Sequence, residues 1–272
     1  MKRWISLFAI VATLFSCDYI DDPIQSGYVP PDTTITKVRK VLLEDYTGHK
    51  CPNCPAAAAE AENLKTIFGK QIVLIAVHAG FFASPSPGFT YDFRTPEGNE
   101  LNTFFGFTAY PSGMIDRSGY NTQHILNFNA WGSRISDQLE IDPEMYITLE
   151  PTINGGNIEV DVEIEVLTEL TGDYNLVIVV TEDGIIQPQV NQTPAGTETI
   201  PDYVHNHVLR GSFTGAWGQS ISTGTVAQGE KITRSHSIAL DSEWNEQNLH
   251  IVAYVYDASS YRVLQAEEVK VE

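Results

Sequence analysis

Cysteine is nearly absent from this chain of 272 residues: there are three, Cys17, Cys51 and Cys54. That excludes the disulfide framework by which small secreted domains hold together. A four-cysteine zinc site is excluded too, because the second Cys-x-x-Cys it needs is missing. Basic residues are scarce, with 16 Lys and Arg against 35 Asp and Glu and a net charge of −19. Such a surface repels nucleic acid, and no basic patch overrides it. Long apolar runs are lacking as well. Trp4 to Phe15 is mostly apolar but too short to span a bilayer, and no other stretch is long and apolar enough. There is no internal repeat. What is present, 42% hydrophobic and 10% aromatic residues, is ample for packed cores and excludes a disordered chain.

The first residues read as an address. A basic Met1-Lys2-Arg3, a short apolar region and a small residue before Cys17 describe a secretory signal. Leu14-Phe15-Ser16-Cys17 resembles a bacterial lipobox, which implies lipidation of Cys17 as the first residue of the mature protein; an ordinary signal peptide with a chance cysteine is the alternative. Cleavage there removes Lys2 and Arg3, leaving 14 basic against 35 acidic residues and a net −21. The protein is then anchored to a membrane rather than inserted in it. Asp18, Asp21 and Asp22 resemble the acidic residues that follow the cysteine in outer-membrane or surface lipoproteins of Bacteroidetes. In an oxidising compartment the two remaining cysteines are expected to pair with each other.

Composition divides the chain into a signal over 1–16, an anchor cysteine and tether over 17–36, a mixed α/β domain over 37–143 and an all-β domain over 144–272. The tether is rich in proline and acid and has little periodicity. In the α/β domain, Val38–Tyr46 predicts a strand, Thr47-Gly48-His49-Lys50 a turn, Ala56–Phe68 a helix ended by Gly69, and Ile72–His78 a buried parallel strand. Cys51-Pro52-Asn53-Cys54 thus sits at the first strand-to-helix junction of a β-α-β unit. Helix N-terminal amides lower a thiol pKa there, and His49 and Lys50 add nearby polar or positive groups. Cys51 is expected to be the exposed nucleophile, Cys54 the resolving thiol, and Asp45 a carboxylate that helps move the proton off Cys54.

Other readings of these residues stand beside that one. The Cys pair is alternatively a structural disulfide, or half of a zinc site completed by His49 or His78. Asp45 is alternatively a solvated acid at a strand end, and Pro111 a plain turn proline.

The second domain predicts seven strands: Met145–Pro151, Ile158–Thr168, Tyr174–Glu182, Tyr203–Phe213, Lys231–Leu240, Leu249–Asp257 and Arg262–Val271. Their number suggests an immunoglobulin-like sandwich or a related antiparallel fold. Gly211–Gly224 reads as a long loop around Trp217. On a strand, His205 and His207 share one face, but no third metal ligand is evident, so hydrogen-bonded histidines at an edge or interface are the expectation.

Val41–Pro55, with its Cys51-Pro52-Asn53-Cys54, resembles the active-site region of the thioredoxin superfamily. Thr108–Gly119 is similar to that family's cis-proline strand and turn. The resemblance implies that Pro111 faces the Cys pair, with the Tyr110 backbone open to a substrate peptide; a cis bond is tolerable there because it precedes proline. The chain departs from the family in carrying Lys50 before the first cysteine, and in the 57 positions from Cys54 to Pro111. The surplus, about Gly80–Asn99, is a candidate lid or groove wall. With the anchor, the Val-His-Asn-His-Val-Leu-Arg segment and the β domain, the mature chain resembles the Omp28-related outer membrane lipoproteins of Bacteroidetes. The implied function is thiol–disulfide exchange with exported protein or peptide thiols, at the periplasmic or cell-surface face of the outer membrane. No cofactor, metal or nucleic acid is implied, and the redox partner is not named. A non-enzymatic binding, adhesion or structural lipoprotein is the alternative.

Overall fold

The protein's structure, a computed structural model, describes residues 37–271. The signal, Cys17 and the tether lie outside them. In chain order the elements are β1 (Val41–Thr47), α1 (Cys54–Phe68), β2 (Ile72–His78), α2 (Gly80–Ala83), α3 (Pro96–Phe105), β3 (Ser112–Ile115) and α4 (Trp131–Leu139). Ten strands follow: β4 (Met145–Asn154), β5 (Asn157–Val166), β6 (Leu170–Glu182), β7 (Ile185–Thr193), β8 (Gly196–His205), β9 (Val208–Ser212), β10 (Gln219–Val226), β11 (Lys231–Ala239), β12 (Leu249–Asp257) and β13 (Val263–Lys270). The fold is mostly β, with its α-helices confined to the first part.

The apolar runs of β1 and β2 pair in parallel from Val41–Ile72 to Thr47–His78, and β3 adds antiparallel on the other side of β1. Both faces of this ribbon are buried, which is why its strands read as continuous apolar runs. Val41, Leu43, Ile72 and Leu74 pack under α1 and α4 with Ala61, Leu64, Trp131 and Ile135. On the opposite face Leu42, Val73, Ile75 and Val77 meet Leu101 and Phe105 of α3. The alanine-rich α1 starts at Cys54, with Pro55 in its first turn where a missing N–H costs nothing. It ends at Gly69, whose φ of 60° favours glycine.

A single sheet runs β13-β12-β6-β9-β2-β1-β3, with β10 also on β6, so strands from both sides of position 143 share it. The link between β9 and β2 is one parallel pair, Ala76–Val208. Alternation on β6 and β12 serves two cores. Leu176, Ile178, Val180, Ile251, Ala253 and Val255 face the three-stranded sheet β11-β5-β4. Val177, Val179, Val252 and Tyr254 face the core beneath β1 and β2. Each large apolar side chain buried this way contributes roughly 1.5–3 kcal/mol.

The β-rich part therefore contains the expected two-layer packing of sheets, but with ten strands in place of seven. The expected strand Tyr203–Phe213 is two: His207 has a φ of 55°, and its N–H donates to Asp183 Oδ1 at 2.7 Å, turning the chain between β8 and β9. The expected loop Gly211–Gly224 contains most of β10. β7 and β8 form a separate two-stranded hairpin, which reaches the other part of the molecule.

Two buried ion pairs hold the sheet to its surroundings. Arg117 makes a two-pronged contact with Glu44, Nε to Oε2 and Nη2 to Oε1, both 2.8 Å, and Nη2 also donates to Tyr254 Oη. Arg39 Nη2 lies 2.6 Å from Asp116 Oδ2, and Asp116 Oδ1 accepts from the Leu42 N–H.

Candidate functional site

At the end of β1 the chain turns at Gly48. A Cβ there would stand 2.6 Å from the carbonyl carbon of Phe82, so the close approach of the two backbones requires glycine. The Phe82 carbonyl accepts from the Lys50 N–H at 3.1 Å. The Gly80–Asn99 segment therefore does form a wall beside the motif. Lys50 does not aim its charge at the sulfurs: Nζ bonds Ser84 Oγ at 3.0 Å and sits over the Phe81 ring. His49 is buried, and burial lowers its pKa.

Cys51 and Cys54 form a disulfide, with Cα atoms 5.4 Å apart at the start of α1. Sequence reasoning expected an exposed Cys51. In the structure Cys51 is 1% exposed and Cys54 2%. The reason is β7, which lies along the motif. The Val190 N–H donates to the His49 carbonyl at 2.8 Å, and the Gln192 N–H to the Pro52 carbonyl at 2.8 Å. Gln189 Nε2 donates to the Cys51 carbonyl at 3.0 Å. Sequence reasoning missed this strand because Gln187, Gln189, Asn191, Gln192 and Pro188 do not read as a buried strand; the spaced Ile185, Ile186 and Val190 were the available signal.

Asp45 is neither solvated nor at the strand end. It is 4% exposed in the middle of the three-stranded ribbon, opposite Ala76 and Gly113. Burial pushes its carboxyl up to about 7, and Oδ1 has no hydrogen-bond partner. Asp45 and Cys54 line the same cavity of about 280 Å³. Ala58, Ala61 and Leu74 supply apolar wall, and Tyr203, His205 and His207 close the side formed by β8 and the turn after it.

The Tyr110–Pro111 peptide is cis, and Pro111 stands one residue before the Tyr46–Ser112 pair of β1 and β3. This puts it at the same end of β1 as the cysteine turn. The two histidines of β8–β9 separate. His205 joins an aromatic cluster, with Phe93 at 4.6 Å, Tyr203 at 4.8 Å and His78 at 5.5 Å between ring centres. Burial holds His205 down to about 4 and keeps His78 well below its ordinary value. His207 instead meets acids, with Nε2 3.3 Å from Glu62 Oε1 and Nδ1 3.5 Å from Asp183 Oδ1. The zinc alternative loses its thiolates to the disulfide. Among the described residues no group of three or more His, Cys, Asp or Glu side chains is arranged to hold a metal ion.

This is a mostly β protein with a covered disulfide at a strand-to-helix junction. The sequence profile of the family described as outer membrane protein Omp28 matches residues 98–272, more than half of the chain. The chain belongs to the Omp28 family. Among solved structures it is similar to HBP35 of Porphyromonas gingivalis, at 15% identity and a TM-score of 0.67, covering 86% of this chain and 76% of that one. A protein from Agrobacterium tumefaciens matches at 13% identity and a TM-score of 0.50, covering 85% and 94%. A domain of the outer membrane lipoprotein Omp28 from Porphyromonas gingivalis matches at 20% identity and a TM-score of 0.33, covering 47% and 88%. No curated protein matches the chain. No helix among the described residues is long and apolar enough to cross a membrane.

Proposed function

We propose that this Omp28-family protein is a lipid-anchored outer-membrane protein whose α/β part is thioredoxin-like and exchanges disulfides with exported proteins through Cys51 and Cys54. Cys17 is the anchor, and the mature chain is held at the membrane by its lipid. The observation that carries the reading is Asp45: a buried carboxyl near 7, with an unpaired oxygen, on a cavity wall shared with Cys54. A group with that pKa takes and returns a proton at neutral pH.

In the reduced form the Cys51 thiolate attacks one sulfur of a substrate disulfide. A mixed disulfide forms, and one substrate thiolate leaves and takes up a proton. Cys54 then passes its proton to Asp45 and attacks Cys51 Sγ. The second substrate thiolate leaves, and the Cys51–Cys54 bond reforms. The dithiol is oxidised and the substrate disulfide reduced by two electrons; the reverse sequence oxidises a substrate dithiol. The helix N-terminus favours the thiolate at Cys51. Pro111 shapes the groove at that end of β1. For any of this the buried Cys51 must become accessible, with the β7 backbone leaving His49 and Pro52.

Burial of both sulfurs favours a second reading, in which the disulfide is a staple and the protein binds or supports envelope components without catalysis. Thiol trapping of the mature protein in glutathione buffers, with Cys51→Ser as control, separates the two. A potential between about −120 and −270 mV with fast exchange supports the catalyst, and a disulfide that stays oxidised below about −300 mV supports the staple.

A further inference from the structure

A shallow surface hollow of about 760 Å³ shares no residue with the cavity beside the disulfide. Asn99, Glu100, Thr103 and Phe104 of α3 line it, with Trp217 before β10 and Tyr261 between β12 and β13. Asn99 and Thr103 are four residues apart, as are Glu100 and Phe104, so each pair shares a helix face. The three rings touch. Phe104 lies 4.6 Å from Trp217 and 5.1 Å from Tyr261 between ring centres, and Trp217 5.9 Å from Tyr261. They make a continuous apolar floor, of which Phe104 leaves 41% of its surface to solvent. The floor is fixed in place. Trp217 Nε1 donates to Glu100 Oε1 at 2.5 Å, and the Trp217 carbonyl accepts from Tyr256 Oη at 2.8 Å. Tyr261 has a φ of 62°, which large side chains seldom adopt, and its ring stacks on Tyr256. Polar capacity stands at the rim. Asn99 Oδ1 accepts from the Gly80 N–H and Thr103 Oγ1 donates to the Asn99 carbonyl, so the Asn99 amide keeps its donors and Thr103 its acceptor sites.

We infer that this hollow binds a neutral saccharide whose pyranose rings carry equatorial hydroxyls. Such a ring has a bare C–H face and a rim of hydroxyls. The face lies on the aromatic floor, where dispersion contacts accumulate. The rim meets Asn99, Glu100 and Thr103, an amide, a carboxylate and a hydroxyl that between them donate and accept. An aromatic lining with a few placed polar groups is the usual composition of a small-molecule site, and a floor already held in position loses little freedom on binding. Other occupants fit less well. The rings touch, so they leave no cage between them for an ammonium group. An acidic sugar is opposed by Glu100 and by the chain's net −19. None of the six residues lies on a strand, so the hollow offers no strand edge to a peptide backbone. The site is independent of exchange at the disulfide.

The test is titration calorimetry of the mature chain with four probes: cellotetraose, tetragalacturonate, choline and tetraproline. Cellotetraose is expected to bind saturably at one site, and the anionic sugar, the cation and the proline peptide more weakly. Trp217→Ala is expected to weaken cellotetraose binding at least about tenfold, the effect of removing a central aromatic anchor. Phe104→Ala, at the exposed edge of the floor, is expected to weaken it about fivefold. Trp217 also packs on the core. Should Trp217→Ala fail to fold, nuclear Overhauser contacts from the C–H protons of cellotetraose to the Trp217 indole of the wild type report the same floor. Absence of saturable cellotetraose binding, unchanged affinity in Phe104→Ala, contacts elsewhere, or equal or tighter binding of any other probe would overturn the inference.

Discussion

The side-chain amide of Gln189 donates to the carbonyl of Cys51 at 3.0 Å, across 138 residues of sequence. With the Val190–His49 and Gln192–Pro52 backbone bonds, it holds β7 along the cysteine turn. Access to Cys51 is thereby tied to the stability of the β7–β8 hairpin.

Gln189→Ala removes one of these bonds and leaves the Cys51 carbonyl without it. A buried hydrogen bond contributes about 1 kcal/mol, close to a fivefold change in an opening equilibrium. Reduction of the disulfide by a small phosphine is expected to speed up by about that factor. An unchanged rate would mean that the hairpin does not control access.

Asp45 makes stability depend on pH. Its carboxyl is raised from 3.8 to about 7 by burial, so the folded state holds a proton that the unfolded chain has already released. That contribution is fully present below about 3.8 and is lost as pH rises through about 7. Asp45→Asn keeps the shape and removes the titration. Urea denaturation at pH 5 and pH 8 is expected to show the wild type losing more stability than Asp45→Asn over that interval, by up to about 2.7 kcal/mol. Parallel profiles would show that Asp45 is already ionised when folded.

Arg117 and Glu44 are both buried, and each is the other's counter-charge. Removing one leaves the other uncompensated in the core, at a cost of about 3–5 kcal/mol. Arg117→Met also loses the Tyr254 hydrogen bond and the guanidinium packing on Phe105. The unfolding free energy of Arg117→Met is expected to fall accordingly, and a fall under about 1 kcal/mol, the scale of a surface pair, would refute the placement.

Gly48→Ala forces a methyl group to within 2.6 Å of backbone at Phe82. The wall made by residues 80–83 must move, at a cost of about 1–3 kcal/mol. Because Lys50 is bonded to that wall, the cysteine turn is expected to loosen with it. Thermal melting and the phosphine reaction together check this: a lower midpoint with faster reduction is the expected pair.

Much of the scaffold was legible. Ile158–Val166, Leu249–Asp257 and the β-α-β unit around Cys51 follow from local periodicity and lie where the patterns place them. β8 and β10 were not legible, because Gly196–Asp202 and Gln219–Val226 are polar and glycine-containing, and the partner of β10, β6, is distant in sequence. The split at His207 depends on Asp183, 24 residues away, accepting its N–H. Alternation alone does not mark such a break.

By itself the sequence determined that two cysteines stand at the N-terminus of a helix between parallel strands, that no other cysteine among residues 37–272 competes with them, and that the β-rich part packs as sheets. These follow from spacing and from apolar repeat, which act over a few residues. Only the tertiary structure decided that β7 covers the disulfide, that Asp45 is enclosed rather than solvated, and that His205 and His207 part to opposite environments. Each depends on groups brought together from distant parts of the chain, and burial shifts a pKa only once those groups have excluded water.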